Sequence, residues 1–227
     1  MNHFGLFSTE HILSIGGYIL LYLFILFISQ FFSKKSFTVV ISCSILIMKI
    51  AELVIRNGVY GETIQQLIPI HLCNITLLLC IITMMFPSKS IFQIIYYWSI
   101  GAIAAILFPD SRVAFPNFVG ISFFVTHFFI LFTVVYQMVS LGYRPTFKGF
   151  LGSFVAINIF AGIVFKINEI LGTNYMYINY KPAFQSPLDF FGPWPHYIII
   201  VEIIYIVLGI LCYLPFKKRH FKYTNIY

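Results

Sequence analysis

The chain consists largely of seven long apolar segments, and the few polar residues near those segments gather toward one end of them. Apolar residues make up 60% of the 227 residues and charged residues 9%. A helix needs about 20 apolar residues to cross the roughly 30 Å hydrocarbon core of a bilayer. The sequence therefore predicts an all-α membrane protein, a seven-transmembrane-helix bundle. The expected spans are residues 12–33, 37–56, 67–86, 90–108, 117–140, 147–170 and 196–215.

The basic residues predict how this bundle is oriented. With the N-terminus outside, the inner loops and the tail carry most of the Lys and Arg, including Lys34, Lys35, Lys89, Arg144 and the KKRHFK run after the last span. Basic loops favour the cytoplasmic side of a membrane. We expect the N-terminus outside, the C-terminus cytoplasmic, and a multi-pass protein of a bacterial cell membrane. The net charge of +7 comes largely from these inner segments and does not indicate nucleic-acid binding.

Residues 1–227 are expected to form a single polytopic membrane domain, because no soluble segment is long enough to fold alone. The longest connection, residues 171–195, lies on the predicted outer side and is rich in Tyr, Phe and Pro. Such a loop is typical either of a lid over a binding site or of an interfacial cap. The cysteines form no C-x-x-C pair and the histidines no H-x-x-x-H motif, so no metal site and no cofactor is expected.

Most ionisable or reactive side chains inside or beside the spans fall at the predicted outer face. A polar side chain is costly in a bilayer, so a cluster at one depth indicates a functional site. Glu52 and Arg56 are also four residues apart on one helix, the spacing of an ordinary ion pair. The cluster comprises Glu52, Arg56, His71, Cys73, Asp110, His127, His196 and Glu202.

Cys73 is the candidate nucleophile of this cluster. Pro69 suits the first turn of a helix, which places His71 and Cys73 within the first turn or two of the third span. The positive end of a helix favours a thiolate. A cysteine nucleophile also needs a base, and His71 is disfavoured because residues two apart on a helix point to different sides. The alternative for Cys73 is a simple packing role.

His127 is the preferred candidate base, because it lies about ten residues into the fifth span, near the middle of the bilayer. A histidine there must face the bundle and find a partner. We expect it to point toward Cys73, Glu202 or a polar group of a loop. The alternative is a lone histidine whose partner is a backbone carbonyl or Tyr197. Its neighbours Phe128 and Phe129 are expected to be split between lipid and core.

Two acids are candidates for orienting that base. Asp110 follows Pro109 at the outer surface, where a plain turn residue is the alternative. Glu202 lies nearly two turns into the seventh span and must be paired, hydrogen-bonded or protonated. Its partner would be His127 or Lys49.

Several short motifs carry a resemblance to a known family. They are IHLCN, FPD…FP…TH, NYMY and GPWPHY…E, in that order along nearly the whole chain. In these motifs the chain resembles YwaF-type bacterial integral membrane proteins, which are similar to the eukaryotic transmembrane protein 164 family. The resemblance implies a seven-helix membrane protein. The eukaryotic branch is regarded as a lipid acyltransferase with a cysteine near a histidine, and its nucleophile falls on Cys73. His127 and His196 are weaker matches for the base, and here His71 precedes the cysteine rather than following it.

Together these observations predict a phospholipid acyltransferase or acyl hydrolase in which Cys73 attacks an ester and His127 accepts the proton. Membrane lipids are the expected partners, and nothing in the sequence sets the oligomeric state. The candidate substrate-binding residues are Asn74, Asn174, Tyr175, Trp194, His196 and Tyr197. The alternative is a non-catalytic membrane protein that binds a lipid or small ligand in an outer-facing polar cavity, or a transporter. A transporter is disfavoured because the sequence shows no inverted repeat and no polar path to the inner face.

Overall fold

The computed structural model describes residues 6–109, 117–183 and 186–217, and every regular element in these ranges is a helix. The prediction of an all-α fold is confirmed. The α-helices are α1 (Thr9–Ile28), α2 (Lys34–Gly58), α3 (Ile64–Leu67), α4 (Leu72–Met85), α5 (Lys89–Leu107), α6 (Phe118–Ser140), α7 (Phe147–Leu171) and α8 (His196–Tyr213). Short 3-10 turns occur at Ser29–Phe31, Tyr175–Tyr177, Pro187–Phe191 and Leu214–Phe216.

Within the described ranges, six helices are long and apolar enough to cross a bilayer: α1, α2, α5, α6, α7 and α8. The predicted third span differs, because the chain breaks between α3 and α4 around Pro69. Ile68 adopts an extended ψ of 122°, as the residue before a proline prefers. The apolar helix α4 therefore begins only at Leu72 and has 14 residues. The helix thus starts five residues later than the expected span of 67–86.

Polar side chains fix where the long helices start. In each of α1, α2, α5, α6 and α7 the residue before the helix accepts a hydrogen bond from an amide of the first turn, which satisfies one of the amides left unpaired there. These capping residues are Ser8, Ser33, Ser88, Asn117 and Thr146. Gly172 ends α7 in the left-handed conformation with φ of 65°, which glycine adopts without a steric penalty.

Helix α6 lies at the centre of the bundle and packs against α1, α2, α4 and α5. On the α1 side, Tyr18 stacks on Phe124 and on Phe128 with ring centroids 5.5 and 5.6 Å apart. Phe128 is 5% exposed and Phe129 0%. The expectation that these two rings divide between lipid and core is therefore wrong, since α6 has neighbours on most of its sides.

The second group of helices, α7 and α8, packs together and against α5. Gly209 allows the close approach of α8 to α7, because a Cβ at this position would lie 2.3 Å from the ring of Phe150. The outward faces of the peripheral helices carry large exposed apolar side chains, among them Leu20, Ile47 and Ile159. An apolar surface of this extent suits lipid rather than water.

Contacts at both ends show that α2 and α6 run antiparallel. The ammonium of Lys34, at the start of α2, donates to the backbone carbonyl of Ser140 at the end of α6, at 2.9 Å. Toward the other end of α2, Glu52 accepts a hydrogen bond from the hydroxyl of Ser122 at 2.6 Å. The two contacts are 18 residues apart on each helix, so the helices remain in register along this length.

Candidate functional site

The C-terminal part of α2, which the sequence predicts to face outward, and the segment after it carry four charged side chains that neutralise one another. Lys49 donates to both carboxylate oxygens of Glu52 at 3.0 Å, and Arg56 donates to Glu52 at 3.4 Å. Arg56 also donates two hydrogen bonds to Glu62, at 3.0 and 2.6 Å. The hydroxyl of Ser122 completes the set around Glu52, which is only 4% exposed. A buried carboxylate is tolerated when it is paired and hydrogen-bonded in this way. We call these five residues the outer ion network.

The sequence predicts only part of this network. Glu52 and Arg56 are predicted as an ordinary ion pair, without Lys49. The available signal was the spacing of Lys49, Glu52 and Arg56 at three and four residues, which places all three on one face of an apolar helix. Ser122 could not be assigned, because it lies 70 positions away in the sequence.

Cys73 is the second residue of α4 and is half-buried against the apolar core. The first amides bonded into this helix are those of Asn74 and Ile75, which both donate to the carbonyl of His71. Among the described residues, the amides of Leu72 and Cys73 have no backbone acceptor. Amides left free at a helix N-terminus attract negative charge, so the thiol lies beside a small anion-binding site.

His71 lies at the N-cap of α4 with extended backbone angles of φ −61° and ψ 147°. The helical spacing that disfavoured it as a partner of Cys73 therefore does not apply. Its Nδ1 accepts a hydrogen bond from the backbone amide of Met176 at 3.2 Å. Because an amide can only donate, neutral His71 must carry its proton on Nε2. Its basic nitrogen is thus already engaged in holding the loop that follows α7.

His127 has the opposite tautomer. Its Nδ1 lies 2.7 Å from the carbonyl oxygen of Phe123, one turn earlier on α6, and a carbonyl can only accept. The proton of neutral His127 is therefore on Nδ1, and Nε2 is left with its lone pair. The ring of Phe123 packs against the imidazole with centroids 4.1 Å apart. The expected bond to Cys73, Glu202 or a loop group is replaced by this bond within α6, and the imidazole is half-buried.

The ammonium of Lys49 lies within electrostatic range of His71, Cys73 and His127. His71 and Cys73 lie at the start of α4, and His127 lies on α6. Lys49 is thus a charge of the outer ion network that acts on the candidate nucleophile and on both central histidines.

The seventh predicted span contributes less than expected. Glu202 accepts a hydrogen bond from the amide of Asn158 on α7 at 3.3 Å, while Lys49 is held by Glu52. The suggested Glu202–Lys49 pair is therefore wrong, because α8 packs against α7 and α5 rather than α2. His196 is exposed at the start of α8. Asp110 lies outside the described residues.

The loop between α7 and α8 is held above α4 by its own polar groups. The side chain of Asn168 accepts from the backbone amide of Tyr175 and donates to its carbonyl, at 2.8 and 3.0 Å. The buried phenol of Tyr175 donates to the carbonyl of Gln65 in α3, and burial raises the pKa of this tyrosine. Met176 and Tyr177 have left-handed φ angles of 59° and 54°, which side-chain-bearing residues rarely adopt. This unusual turn presents the Met176 amide to His71.

Most of the candidate substrate-binding residues stabilise the same loop. Asn174 donates to the carbonyl of Tyr180 at 2.6 Å, Trp194 to Ile178 at 3.0 Å and Tyr197 to Tyr177 at 2.6 Å. The side-chain amide of Asn74, beside Cys73, makes no hydrogen bond within the part of the chain that is described.

Neither of two surface clefts touches Cys73. One, of about 360 Å³, lies between the start of α5 and the connection from α6 to α7, and includes Gln93 and Arg144. The other, of about 470 Å³, follows the exposed face of α1. Within the described ranges, no three His, Cys, Asp or Glu side chains are grouped so as to hold a metal ion.

Comparison with known proteins identifies relatives of this chain. A sequence profile of the TMEM164 family matches residues 6–213. An uncharacterized protein of Treponema pallidum (strain Nichols) is 24% identical over 174 residues, which cover 77% of this chain and 72% of that protein. No solved structure matches the chain.

Proposed function

The chain belongs to the TMEM164 family, and on that premise we propose that it is a lipid acyltransferase or acyl hydrolase with Cys73 as nucleophile and His127 as base. The observation that carries the proposal is the position of Cys73. It is the second residue of a helix with two free amides, beside a lysine that also interacts with His127. A bacterial cell membrane is the proposed location, in keeping with the bacterial relative.

We further propose that the chain crosses the membrane seven times, with its N-terminus outside. Six of the crossings are the long helices. The additional crossing, which is third in chain order, is the broken unit of α3 and α4. The first turns of α5, which follows α4 after a short connection, approach the segment between α6 and α7, where Gln93 donates to the carbonyl of Arg144 and accepts from the amide of Thr146. This contact supports passage of α4 from the outer ion network to the opposite end of the bundle.

The break places the start of α4 below the outer surface of the bilayer. Its 14 residues rise about 21 Å at ~1.5 Å per residue, against a hydrocarbon core of about 30 Å. Irregular backbone at such a depth is stable only where it is buried in protein or lines a polar space. Residues 68–71 meet this requirement through His71 and the loop above it. A helix N-terminus within the membrane is well placed to receive the polar end of a lipid.

In the first chemical step, the Cys73 sulfur forms a bond to the ester carbonyl carbon while its proton passes to Nε2 of His127. The oxyanion formed is stabilised by the free amides of Leu72 and Cys73. The carbon–oxygen bond then breaks, and the departing alcohol takes the proton from His127, leaving a thioester on Cys73. The positive charge of Lys49 favours the negative charge that develops on the sulfur as its proton leaves.

In the second step, His127 takes the proton of an acceptor hydroxyl, whose oxygen attacks the thioester. The carbon–sulfur bond breaks and the proton returns to the sulfur. A lipid hydroxyl as acceptor gives acyl transfer, and water gives hydrolysis. The two activities share every residue named here and differ only in which acceptor reaches the thioester.

The proposal is tested with purified protein in vesicles that contain a phospholipid with an isotope-labelled acyl chain. Cys73→Ala should abolish release or transfer of the label, and His127→Gln should slow it by about 10²- to 10⁴-fold, the usual contribution of a general base. Cys43→Ala is the matched control, because Cys43 is an exposed cysteine on α2. Full activity of folded Cys73→Ala would contradict the mechanism.

The same question can be asked in cells by untargeted lipid profiling of a strain that lacks the protein. Altered acyl composition, restored by the wild-type chain and not by Cys73→Ala, is the result expected of an enzyme. Unchanged lipids together with lipid that co-purifies at constant stoichiometry would favour the non-catalytic lipid-binding alternative.

A further inference from the structure

Three neighbouring helices, α2, α4 and α6, carry polar or small side chains along one face each. The members of each set recur at intervals of three, four or seven residues, which keeps them on one side of their helix. The three helices pack against one another, and we call this shared line the polar seam. Its members are Thr38, Ser42, Lys49 and Glu52 on α2, Cys73, Thr76, Cys80 and Thr83 on α4, and Ser122, Thr126, Thr133 and Gln137 on α6.

The helix register arranges these residues in layers. The two end contacts of α2 with α6 place Ser42 near the level of Thr133, and Thr38 near that of Gln137. The Cys80 thiol lies beside the Thr133 hydroxyl, which brings α4 into the same layer. The seam therefore continues from the outer ion network into the inner half of the bundle.

The polar groups in the outer half of the seam are paired. The hydroxyl of Thr76 donates to the carbonyl of Leu72, and that of Thr126 to the carbonyl of Ser122, both at 2.7 Å. Together with the ion network around Glu52, these bonds satisfy the buried polar side chains of that half. The protein supplies every partner itself.

The inner half is different. Ser42, Thr133 and Gln137 are each 0% exposed. Apart from the weakly hydrogen-bonding Cys80 thiol beside Thr133, both hydroxyls and both amide atoms of Gln137 have no hydrogen-bond partner among the described residues. Four such atoms in one buried region of a bilayer-spanning bundle are costly if they are dry. Buried polar groups without protein partners are commonly satisfied by ordered water.

We propose that the inner half of the polar seam is a binding site for a short chain of water molecules, held by Ser42, Thr133 and Gln137. The amide of Gln137 both donates and accepts, and each hydroxyl can do the same, so the three side chains offer the partners that bound water requires. Ile45 and Phe129, which are 5% and 0% exposed, lie between this site and the outer ion network in the same helix register.

This site lies in the inner half of the bundle, where the sequence predicts no polar path. Such a path was not expected, because Ser42, Thr133 and Gln137 are isolated within apolar runs. The structure brings them together from two helices. The proposal does not depend on acyl chemistry at Cys73, so the Cys73→Ala variant should retain the bound water.

Radiolytic labelling tests the proposal directly. A brief X-ray pulse in ¹⁸O-labelled water generates hydroxyl radicals from bound water, which oxidise the side chains beside it. Cys80 and Met84 are 0% and 2% exposed, so bulk solvent does not reach them. We expect both to acquire ¹⁸O, and Ser42→Ala and Gln137→Leu to reduce the label several-fold. Ser44→Ala is the matched control, since Ser44 is an exposed serine on the same helix.

Thermal unfolding tests independently whether water is bound at this site. If the seam is dry, Gln137→Leu removes two unpaired amide atoms, and the melting temperature should rise. If water is bound, the variant loses those hydrogen bonds, and the melting temperature should fall. A rise in melting temperature, or labelling of Cys80 that Ser42→Ala and Gln137→Leu leave unchanged, would overturn the proposal.

Discussion

The outer and inner halves of the polar seam lie on the same three helices, but they differ in how their buried polar side chains are hydrogen-bonded. The outer half contains full charges, and each is matched by protein groups, as Glu52 is by Lys49, Arg56 and Ser122. The seam residues of the inner half are all neutral, and the side-chain amide of Gln137 has no hydrogen-bond partner among the described residues. The comparison teaches that charges in this bundle are held rigidly, as a reactive site requires, whereas a few neutral groups are buried without a protein acceptor or donor.

The largest effect should come from removing the central carboxylate of the outer half. Glu52→Ala leaves Lys49 buried without its partner, and breaking such a pair costs about 3–5 kcal/mol of the free energy of unfolding. Denaturant titration of the purified protein measures this loss. The control is Glu169→Ala, which removes the exposed pair with Lys166 and should cost at most about 1 kcal/mol. Equal losses in the two variants would mean that burial of Glu52 has no energetic consequence.

A smaller effect is expected from Ser122→Ala, which deletes one hydrogen bond to the charged carboxylate of Glu52. Hydrogen bonds to charged groups contribute about 1.5–3 kcal/mol. Thr126→Ala on the same helix is the comparison, because its hydroxyl donates only to a backbone carbonyl and should contribute about 1 kcal/mol. A double-mutant cycle of Ser122→Ala with Glu52→Gln measures the coupling, and a coupling of zero would remove Ser122 from the network.

How far the sequence predicts this molecule depends on which interactions decide each part. Apolar runs of 20 residues define helices by themselves, because their composition leaves a bilayer as the natural solvent. The break at Pro69 could be recognised from the preference of the preceding residue for extended backbone. Instead, Pro69 was predicted to lie in the first turn of one continuous helix, the third span.

The site was harder to predict, since it depends on contacts between distant segments. The Glu52–Ser122 bond joins residues 70 positions apart, and His71 meets Met176 across 105 positions. For His127 the sequence left open a partner from another element or a backbone carbonyl, and the structure shows the carbonyl of Phe123 within α6. A backbone acceptor is available to any helical histidine, so residue types alone do not decide between the two.

The loop above Cys73 should respond locally rather than globally. His71→Ala removes the acceptor for the Met176 amide, a bond whose net contribution is about 1 kcal/mol. Amide hydrogen exchange in residues 173–180 should accelerate about fivefold, the factor that corresponds to 1 kcal/mol. Exchange in α6 should stay unchanged. Unaltered exchange in the loop would show that His71 does not hold it.

Which half of the polar seam faces outside depends on the proposed topology. Labelling of single introduced cysteines tests that topology. A cysteine at position 186, in the loop between α7 and α8, should react with an impermeant thiol reagent in intact cells. A cysteine at position 88, before α5, should react only after the cells are opened. Reversed labelling would place the outer ion network on the cytoplasmic side.

The most direct test of the central claim is to trap the acyl group on Cys73. Protein incubated with the labelled phospholipid is quenched in acid, digested and analysed by mass spectrometry. The proposed mechanism predicts an acyl thioester on the Cys73 peptide that hydroxylamine removes, that is depleted in His127→Gln and that is unaffected in Cys43→Ala. An active protein whose Cys73 peptide never carries the acyl group at any time in turnover would contradict it.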